Sequence, residues 1–521
     1  MPAKEKPRYH DRPFNIRPLC LWALFVGITI AACYWSMWAA GAWVVILVIG
    51  LGILQFVRKR DEVVKFLGSS RLFFIGAIVL CLAVMLSFGI TQLVYTAQKT
   101  YVGSHTITGT VENHRFRPQD QGVSYFTLGN ATHNGKKVSG RVIVFVNDFD
   151  GTENAAQSGT RVVFTARLNK ANATDMNINS RVKYSTSTKF ENIEITGKSA
   201  SLRHTVTGYS KTFFGKYLSP VNTELLFSMV FGDKSALDDE LRNNFAVTGL
   251  AHVLAVSGLH VGLLIAIMVA VLKAVRLRRK YQLPVIVVVL IFYAYLCDFK
   301  FSIIRASIMF VILMSNRILL RKTDLLSSIC AAAIITLLIF PNAITSVSFQ
   351  LSYGCMLGIA LYYRPIEKFL RRSIHPRAPL WLCKIQSFFI KGTTMYATTM
   401  IFTLPLIIKY FGFVPTYGVL SDLFFLPLMI LAFQGGVIAL LTWVGQPLFY
   451  PVNWFLDAVR WGTNTLASMP GAVINVTNGG YWFLFYIIAF VVLSRFVFLR
   501  PLYKNTAAGL LLGVYFIGFL V

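Results

Sequence analysis

The sequence predicts a polytopic α-helical membrane protein with an inserted extracytoplasmic small β-barrel domain of the OB-like kind. Three observations lead there. Of 521 residues, 55% are hydrophobic and only 14% are charged, whereas soluble domains carry about 25% charged residues. Apolar runs of about 20 residues recur along most of the chain, and each is long enough to cross a bilayer as a helix. One polar stretch, from Gln98 to Arg203, interrupts them with the alternation of β-strands.

Residues 1–97 read as a cytoplasmic segment followed by three spans: Leu19 to Ala39, Gly41 to Val57 and Leu72 to Val94. A second span follows the first at once, so the first is expected to persist rather than be cleaved as a signal. Lys4, Lys6, Arg8, Arg12 and Arg17 precede the first span, and Arg58, Lys59 and Arg60 follow the second. Both basic clusters belong in the cytoplasm, so the third span exits to the far side.

Residues 98–203 follow as the β domain. Thr106 to Glu112 (TITGTVE), Ser139 to Val146 (SGRVIVFV) and Thr160 to Leu168 (TRVVFTARL) alternate. Asn134-Gly135, Asp150-Gly151 and Ser158-Gly159 supply turns between them. About five short strands in roughly 100 residues suit a small OB-like barrel. The stretch carries 14 Lys and Arg against 8 Asp and Glu. Arg115, Arg117, Lys136, Lys137 and Arg141 surround Tyr125 and Phe126. A basic groove with an aromatic stacking platform is how OB-folds hold single strands. For any one of these residues a solvated loop is the alternative.

Residues 204–244 read as an amphipathic, interfacial segment. Its end, Met229 to Asn244 (MVFGDKSALDDELRNN), forms a polar helix with its acids early. Residues 245–521 then hold about ten membrane segments: Phe245 to Val275, Leu283 to Leu296, Ile303 to Leu319, Leu325 to Phe340, Val347 to Tyr362, Met395 to Ile408, Val414 to Phe433, Gly436 to Phe449, Tyr481 to Phe498 and Ala507 to Val521. Counted as alternate crossings from an outside β domain, Lys273 to Lys280, Arg321-Lys322, Arg364 to Lys391 and Arg495 to Lys504 all fall inside.

Formal net charge is +28, from 50 basic and 22 acidic side chains. Topology explains most of such an excess, and a polyanionic partner profits from the same excess. All seven cysteines, from Cys20 to Cys383, lie in or beside apolar runs, so no disulfide framework and no CxxC site is expected. The eight histidines form no HxxxH or HxHxDH pattern, so no metal is expected. Without GxxxxGK(S/T), no nucleotide drives the protein directly. No cofactor and no enzyme activity are expected.

Leu254 to Leu264 (LAVSGLHVGLL) places Ser257 and His260 within an apolar stretch, with Gly258 and Gly262 in GxxxG spacing. GxxxG lets another backbone approach closely, and polar groups in a span face a bundle interior or a wet cavity. His252 precedes His260 by eight residues, so a continuous helix puts both on one face. Ser257 and His260 stand i,i+3, which permits a hydrolytic pair, but no orienting acid follows nearby. Arg305 begins another apolar run close to Asp298 and Lys300. It reads as a passage-lining group, or else as the partner of Asp298 or a snorkelling side chain.

The longer pattern, Phe231 to Leu264 (FGDKSALDDELRNNFAVTGLAHVLAVSGLHVGLL), resembles the competence domain of the ComEC family, the inner-membrane DNA channel of natural transformation. Gly232-Asp233-Lys234-Ser235 resembles the family's turn, Leu241-Arg242 its acidic helix, and Thr248 to His252 with Leu254 to His260 its hallmark string. Ser302 to Ala306 (SIIRA), Ser348 to Tyr353 (SFQLSY) and Gly418 to Asp422 (GVLSD) follow in the family's order. Asp422 departs from it, since the family usually has Asn there. The resemblance runs from the first spans to about Phe433 and includes the β insert.

The resemblance implies a channel for single-stranded DNA in the cytoplasmic membrane, multi-pass, with the β domain periplasmic. It implies as channel residues Asp233, Arg242, His252, Ser257, Gly258, His260, Gly262, Arg305, Gln350, Ser352 and Asp422. Implied partners are single-stranded DNA, membrane lipids, a periplasmic DNA receptor and cytoplasmic DNA-binding or helicase proteins. Longer members continue into a metallo-β-lactamase-like domain. This chain reads as a short form without it, so a separate nuclease is expected to degrade the other strand. The alternative on physics alone is an ion- or proton-coupled small-molecule transporter using His260, Arg305 and Asp422.

Overall fold

The structure, a computed structural model, describes residues 18–46, 70–96, 98, 100–101, 103–115, 124–147, 159–171, 182–198, 201–318, 324–373, 379–476, 483–494, 506 and 509–512. Several expectations lie outside these residues: both N-terminal basic clusters, Arg117, Asp150-Gly151, Arg321-Lys322, and most of the Gly41–Val57 and Ala507–Val521 spans.

The chain is mostly helical, with a mixed β-sheet in its N-terminal half. Helix α1 (Pro18–Trp35) is followed by α2 (Met37–Ile46), so the expected Leu19–Ala39 span breaks at Ser36. Helix α3 (Ser70–Thr96) leads to the sheet. Among the described residues, Ile75–Tyr95 and Gly418–Thr442 are long and apolar enough to cross a membrane, and six shorter apolar helices accompany them.

The strands are β1 (Ser104–Arg115), β2 (Ser124–His133), β3 (Lys136–Lys137), β4 (Arg141–Asn147), β5 (Thr160–Arg167), β6 (Asn169–Lys170), β7 (Val182–Lys189) and β8 (Glu194–Lys198). Their order is β6-β7-β4-β2-β1-β5-β8, with β3 on β2. All pairs are antiparallel except β4 with β7. The expected small barrel is therefore corrected to an open sheet. Its ends are the two-residue β6 and the short, charged β8, and short charged edges resist further pairing. Alternate residues fill one core, with Ile107, Val111, Leu128, Val142, Val144 and Val162 fully buried. Asn134 and Gly135 both take positive φ between β2 and β3, which the Asn-Gly hairpin turn requires.

Three helices follow the sheet: α4 (Leu202–Gly215), α5 (Pro220–Phe231) and α6 (Asp239–Val247). The single polar helix expected over Met229–Asn244 is thus split by a turn at residues 232–238. Nine of the twelve α5 residues are buried, so α5 is the centre of the helical core. Helix α7 (Gly258–Ala274) starts after a short 3₁₀ turn, Leu250–His252. The continuous Phe245–Val275 span is therefore corrected to two helices joined by a ten-residue break.

Beyond it stand α8 (Arg279–Leu296), α9 (Phe301–Ile318), α10 (Leu325–Ile339), α11 (Val347–Leu370) and α12 (Leu380–Phe411). Strand β9 (Phe413–Pro415) precedes α13 (Gly418–Thr442) and α14 (Gln446–Ser468). Strand β10 (Val473–Asn475) pairs back with β9, and α15 (Phe483–Leu493) follows. The expected spans Val414–Phe433 and Gly436–Phe449 become one helix, α13. The chain turns after Thr442 at Trp443, which has φ of 59°. Helix α14 buries Phe449, Val452, Leu456 and Val459 and leaves Tyr450, Trp454 and Trp461 exposed.

Asn222 of α5 is fully buried, and α14 satisfies it. Its Nδ2 donates to Asn453 Oδ1 at 2.8 Å and to Asp457 Oδ1 at 2.7 Å, and Arg460 donates to its Oδ1 at 3.3 Å. A filled amide of this kind fixes the register of the two helices, since any slip leaves buried polar atoms unpaired.

The sheet is tied to the helices by charge. Arg141, at the start of β4, lies 2.5 Å from Glu112 of β1 and 2.5 Å from Asp298, in the turn between α8 and α9. Arg203, at the start of α4, lies 3.2 Å from Asp298. Asp298 and Phe299 both have positive φ, 61° and 48°. Consecutive left-handed non-glycine residues are costly and persist only where the surroundings hold them. The two arginines on Asp298 supply that restraint.

Candidate functional site

The four motif segments lie apart in sequence, and the fold packs them against one another. The first contact is made by the turn that closes α5. Gly232 caps that helix in a left-handed conformation, φ 73°. A side chain there would also meet Val256, at 2.9 Å, and the Lys300 ammonium, so glycine is required twice over. Lys300 donates to the Gly232 carbonyl, and Asp233 Oδ1 accepts from Ser235 N at 2.9 Å and Ser235 Oγ at 2.6 Å. Arg242 of α6 pairs with Asp239 at 3.4 Å.

The second contact is the start of α7. Ser257 is its N-cap: the hydroxyl accepts from Leu259 N at 3.2 Å, and His260 Nδ1 accepts from Ser257 N at 3.1 Å. His260 therefore takes the part of the Glu or Gln in a capping box. Only 1% of His260 is exposed, and its ring lies 4.7 Å from that of Phe433 on α13. His252 is exposed in the 3₁₀ turn, with Nδ1 3.0 Å from the Gly249 carbonyl. The break between α6 and α7 thus separates two histidines that a continuous helix would have stacked on one face.

Gly258 and Gly262 both face α9. A Cβ on Gly258 would stand 3.7 Å from Ala306 Cβ, and one on Gly262 would stand 3.1 Å from Phe310. Both pairs advance by four residues, so the GxxxG face of α7 lies along one face of α9. Ser302 Oγ donates to the Val256 carbonyl at 2.7 Å, which fixes the break before α7 against the start of α9.

Arg305 makes the third contact. It is 3% exposed, donates to the Ser348 carbonyl at 2.5 Å and reaches Ser348 Oγ at 3.4 Å. Its guanidinium lies 5.6 Å from the ring centres of both Phe349 and Tyr353. The alternative of an Asp298–Arg305 pair is corrected: Asp298 is taken by Arg141 and Arg203, and Arg305 joins α9 to α11. Gln350 donates to the Ile344 carbonyl at 2.9 Å and accepts from Tyr410 at 2.8 Å, holding α11 to α12. Ser352 is half-buried on α11.

The fourth contact brings in α13. A Cβ on Gly249 would stand 3.2 Å from the Gly418 Cα, so the hallmark turn rests directly on the α13 N-terminus. Asp422, one turn further on, is half-buried, and its Oδ1 is shielded from solvent without a hydrogen-bond partner among the described residues. His252, Cys355 and Tyr396 are the ionisable groups that act on it.

In the sheet, several expected DNA contacts are placed elsewhere. Phe126 is fully buried in the sheet core and offers no stacking face; inward-facing strand positions alternate with outward ones, and Phe126 is inward with Leu128. Arg141 is committed to Glu112 and Asp298 and is a docking residue. Tyr125 is half-buried and stands opposite Phe145, which is exposed. Arg115 occupies the position opposite Tyr125 on its other side. Lys136 and Lys137 are exposed on the β3 hairpin. The aromatic pair on this face is therefore Tyr125 with Phe145. The alternation Arg141 to Asn147 carried that signal, since Phe145 falls on the outward positions.

Sequence reasoning also passed over Asp298 as a docking acid and Lys300 as a cap on Gly232. The signal for both was a polar pair in a short break between two apolar runs.

Comparison with known proteins gives the following. The competence protein family matches residues 229–501, just over half of the chain. ComE operon protein 3 of Bacillus subtilis (strain 168) is 26% identical over 150 residues, 29% of this chain and 19% of that relative. Recombination protein 2 of Haemophilus influenzae is 29% identical over 147 residues, 27% of this chain and 19% of that relative. An uncharacterized protein of Aquifex aeolicus is 33% identical over 141 residues, covering 33% of its length. The matched stretch spans about a fifth of each of the first two relatives. No solved structure matches.

Proposed function

The chain belongs to the competence protein family, and on that footing we propose that it is the passage for single-stranded DNA across the cytoplasmic membrane during natural transformation. One observation carries the reading. Four segments scattered from Gly232 to Asp422 meet in one cluster, through Lys300 on Gly232, Ser302 on Val256, Arg305 on Ser348 and Gly249 against Gly418. In this reading the packed motifs build the wall of the passage. Beside it His252 is exposed and Asp422 is half-buried.

In this reading the sheet stands outside the membrane and meets the strand first. Tyr125 and Phe145 stack bases without demanding sequence, and Lys136 and Lys137 guide phosphates. Chemistry on the DNA is left to other proteins, and cytoplasmic DNA-binding or helicase partners pull the strand. A periplasmic receptor delivers it.

The test is DNA passage in a transformable strain lacking this gene. DNA held outside the membrane and DNA reaching the cytoplasm are scored separately. Outside DNA accumulates and none enters; the wild-type gene restores entry. Normal entry in the deletion strain removes the proposal.

A second reading, ion- or proton-coupled transport of a small molecule, draws on the orphaned Oδ1 of Asp422. A shielded carboxylate oxygen without a donor takes a proton or a cation. Undiminished DNA entry in the deletion strain would direct attention there.

A further inference from the structure

Helices α11 and α12 form a hairpin longer than a membrane is thick. The 32 residues of α12 make about 48 Å of helix. A hydrocarbon core is about 30 Å, which takes about 20 residues. A crossing that starts at Phe411 therefore ends near Lys391. Lys384 and Trp381 stand about 10 Å and about 15 Å beyond that point. Headgroups fill only about 5–8 Å on each side of a bilayer, so the end of the hairpin reaches past them.

Helix α11 runs back alongside. A Cβ on Gly354 would stand 3.5 Å from the Phe402 carbonyl, and Gly358 meets the Thr398 carbonyl. Both pairs belong to one antiparallel register, and carried to the end of the hairpin it sets Arg372 beside Lys384. Six residues separate Ser373 from Leu380, which keeps the two ends together. The hairpin also has a direction. Its α11 strand starts at the packed motifs, with Ser348 and Gln350, and ends on the side that the basic clusters mark as cytoplasmic.

That end is charged and uncompensated. Arg364, Lys368, Arg372, Lys384 and Lys391 are all exposed, and none takes an ion pair among the described residues. Glu367 is the single acid between Arg364 and Lys391, and it is held by Arg371 at 2.9 Å. Arg364 and Lys368 stand one turn apart on α11, and Arg372 follows in the turn that ends it, so the three make a row. Two large rings lie in water among these cations: Phe369 is 68% exposed and Trp381 64%. Topology accounts for cations here, and it does not call for the rings. Rings that stack bases beside cations that hold phosphates are the make-up of a sequence-tolerant single-strand surface.

We propose that the end of the α11–α12 hairpin receives the single strand as it leaves the passage. Lys368, Arg372 and Lys384 hold successive backbone phosphates, and Phe369 and Trp381 stack bases. This rests on the DNA reading above and carries it to the exit side.

The experiment uses the full chain in phosphatidylcholine nanodiscs and a fluorescent, photoreactive thymidine oligonucleotide. Light should join the oligonucleotide to peptides of the hairpin end as well as to the sheet. Replacing three cations together, Lys368→Gln, Arg372→Gln and Lys384→Gln, should abolish the hairpin cross-link and make the salt slope of binding shallower by about 2, at about 0.7 per phosphate contact. Lys368→Arg, Arg372→Lys and Lys384→Arg together should keep the wild-type slope. Trp381→Ala should weaken binding about fivefold or more, as one stacked base does, and leave the slope unchanged. A triple Gln variant with wild-type slope and cross-links overturns the exit surface and leaves the DNA reading standing. A wild-type chain that binds no oligonucleotide overturns both. If phosphatidylglycerol in the discs erases the difference between wild type and the triple Gln variant, the cations serve lipid and the proposal falls. It falls equally if that variant binds as wild type does yet stops DNA uptake in cells, since the cations then serve a cytoplasmic protein.

Discussion

Arg305→Met should abolish DNA entry and lower the stability of the detergent-solubilised chain by about 2–4 kcal/mol. The guanidinium is almost wholly buried, so its replacement removes a charged donor from the Ser348 carbonyl at the start of α11. A hydrogen bond to a charged group contributes about 1.5–3 kcal/mol. The two aromatic faces lose a cation, at about 0.5–2 kcal/mol. Arg305→Lys should fail to restore either property. One compact ammonium cannot bond Ser348 as the forked guanidinium does and at the same time keep its place 5.6 Å from both the Phe349 and Tyr353 rings. Thermal unfolding and DNA entry, measured on all three forms at matched abundance, check this. Wild-type stability in Arg305→Met would mean that α9 and α11 are held by other contacts.

The second large effect concerns the union of sheet and helices. Arg141→Ala and Asp298→Ala should each cost about 2–3 kcal/mol, less than a fully buried pair because these side chains keep some solvent. Each removal leaves opposite charges half-buried and unbalanced: Glu112 without Arg141, or Arg141 and Arg203 without Asp298. The double variant should be no worse than the poorer single one, giving a coupling of at least about 1 kcal/mol. Protease cleavage between sheet and helices should accelerate in step. Strictly additive effects would show that the pair does not join the two parts.

Part of this arrangement was readable from the chain. The alternating stretches before Glu112, from Arg141 and from Thr160 became β1, β4 and β5, because alternation records a half-buried strand directly. Whether a sheet closes depends instead on how its first and last strands meet. No local pattern encodes that, and β4 pairs parallel with β7 across some forty intervening residues. The break before α7 was signalled by Gly249 and by Ser257 ahead of an apolar run, a cap signature that the hydropathy of the whole segment masked. Pro447, shortly after Trp443, likewise marked the end of α13.

The site was legible as a set of motifs and not as a geometry. Arg305 stood out as a charge in an apolar run, yet its partner lies 43 residues away on another helix. His260 stood out for the same reason, and its partner proved to be the amide of Ser257, three residues back. Burial decided both cases. Polar groups that suggested a wet lining are the ones that hold the helices in place.

The central claim is that a DNA strand travels through this chain, and arrested transit tests it most directly. Transforming DNA with a bulky block at its trailing end is fed to cells whose protein carries a photoreactive residue at His252, the exposed histidine beside the packed motifs. The passage account predicts that light joins the blocked strand to this chain, and that unblocked DNA, once inside, gives no such product. DNA that arrests in the membrane and cross-links neither at His252 nor at Tyr125 would contradict it, and the strand would then cross by another protein.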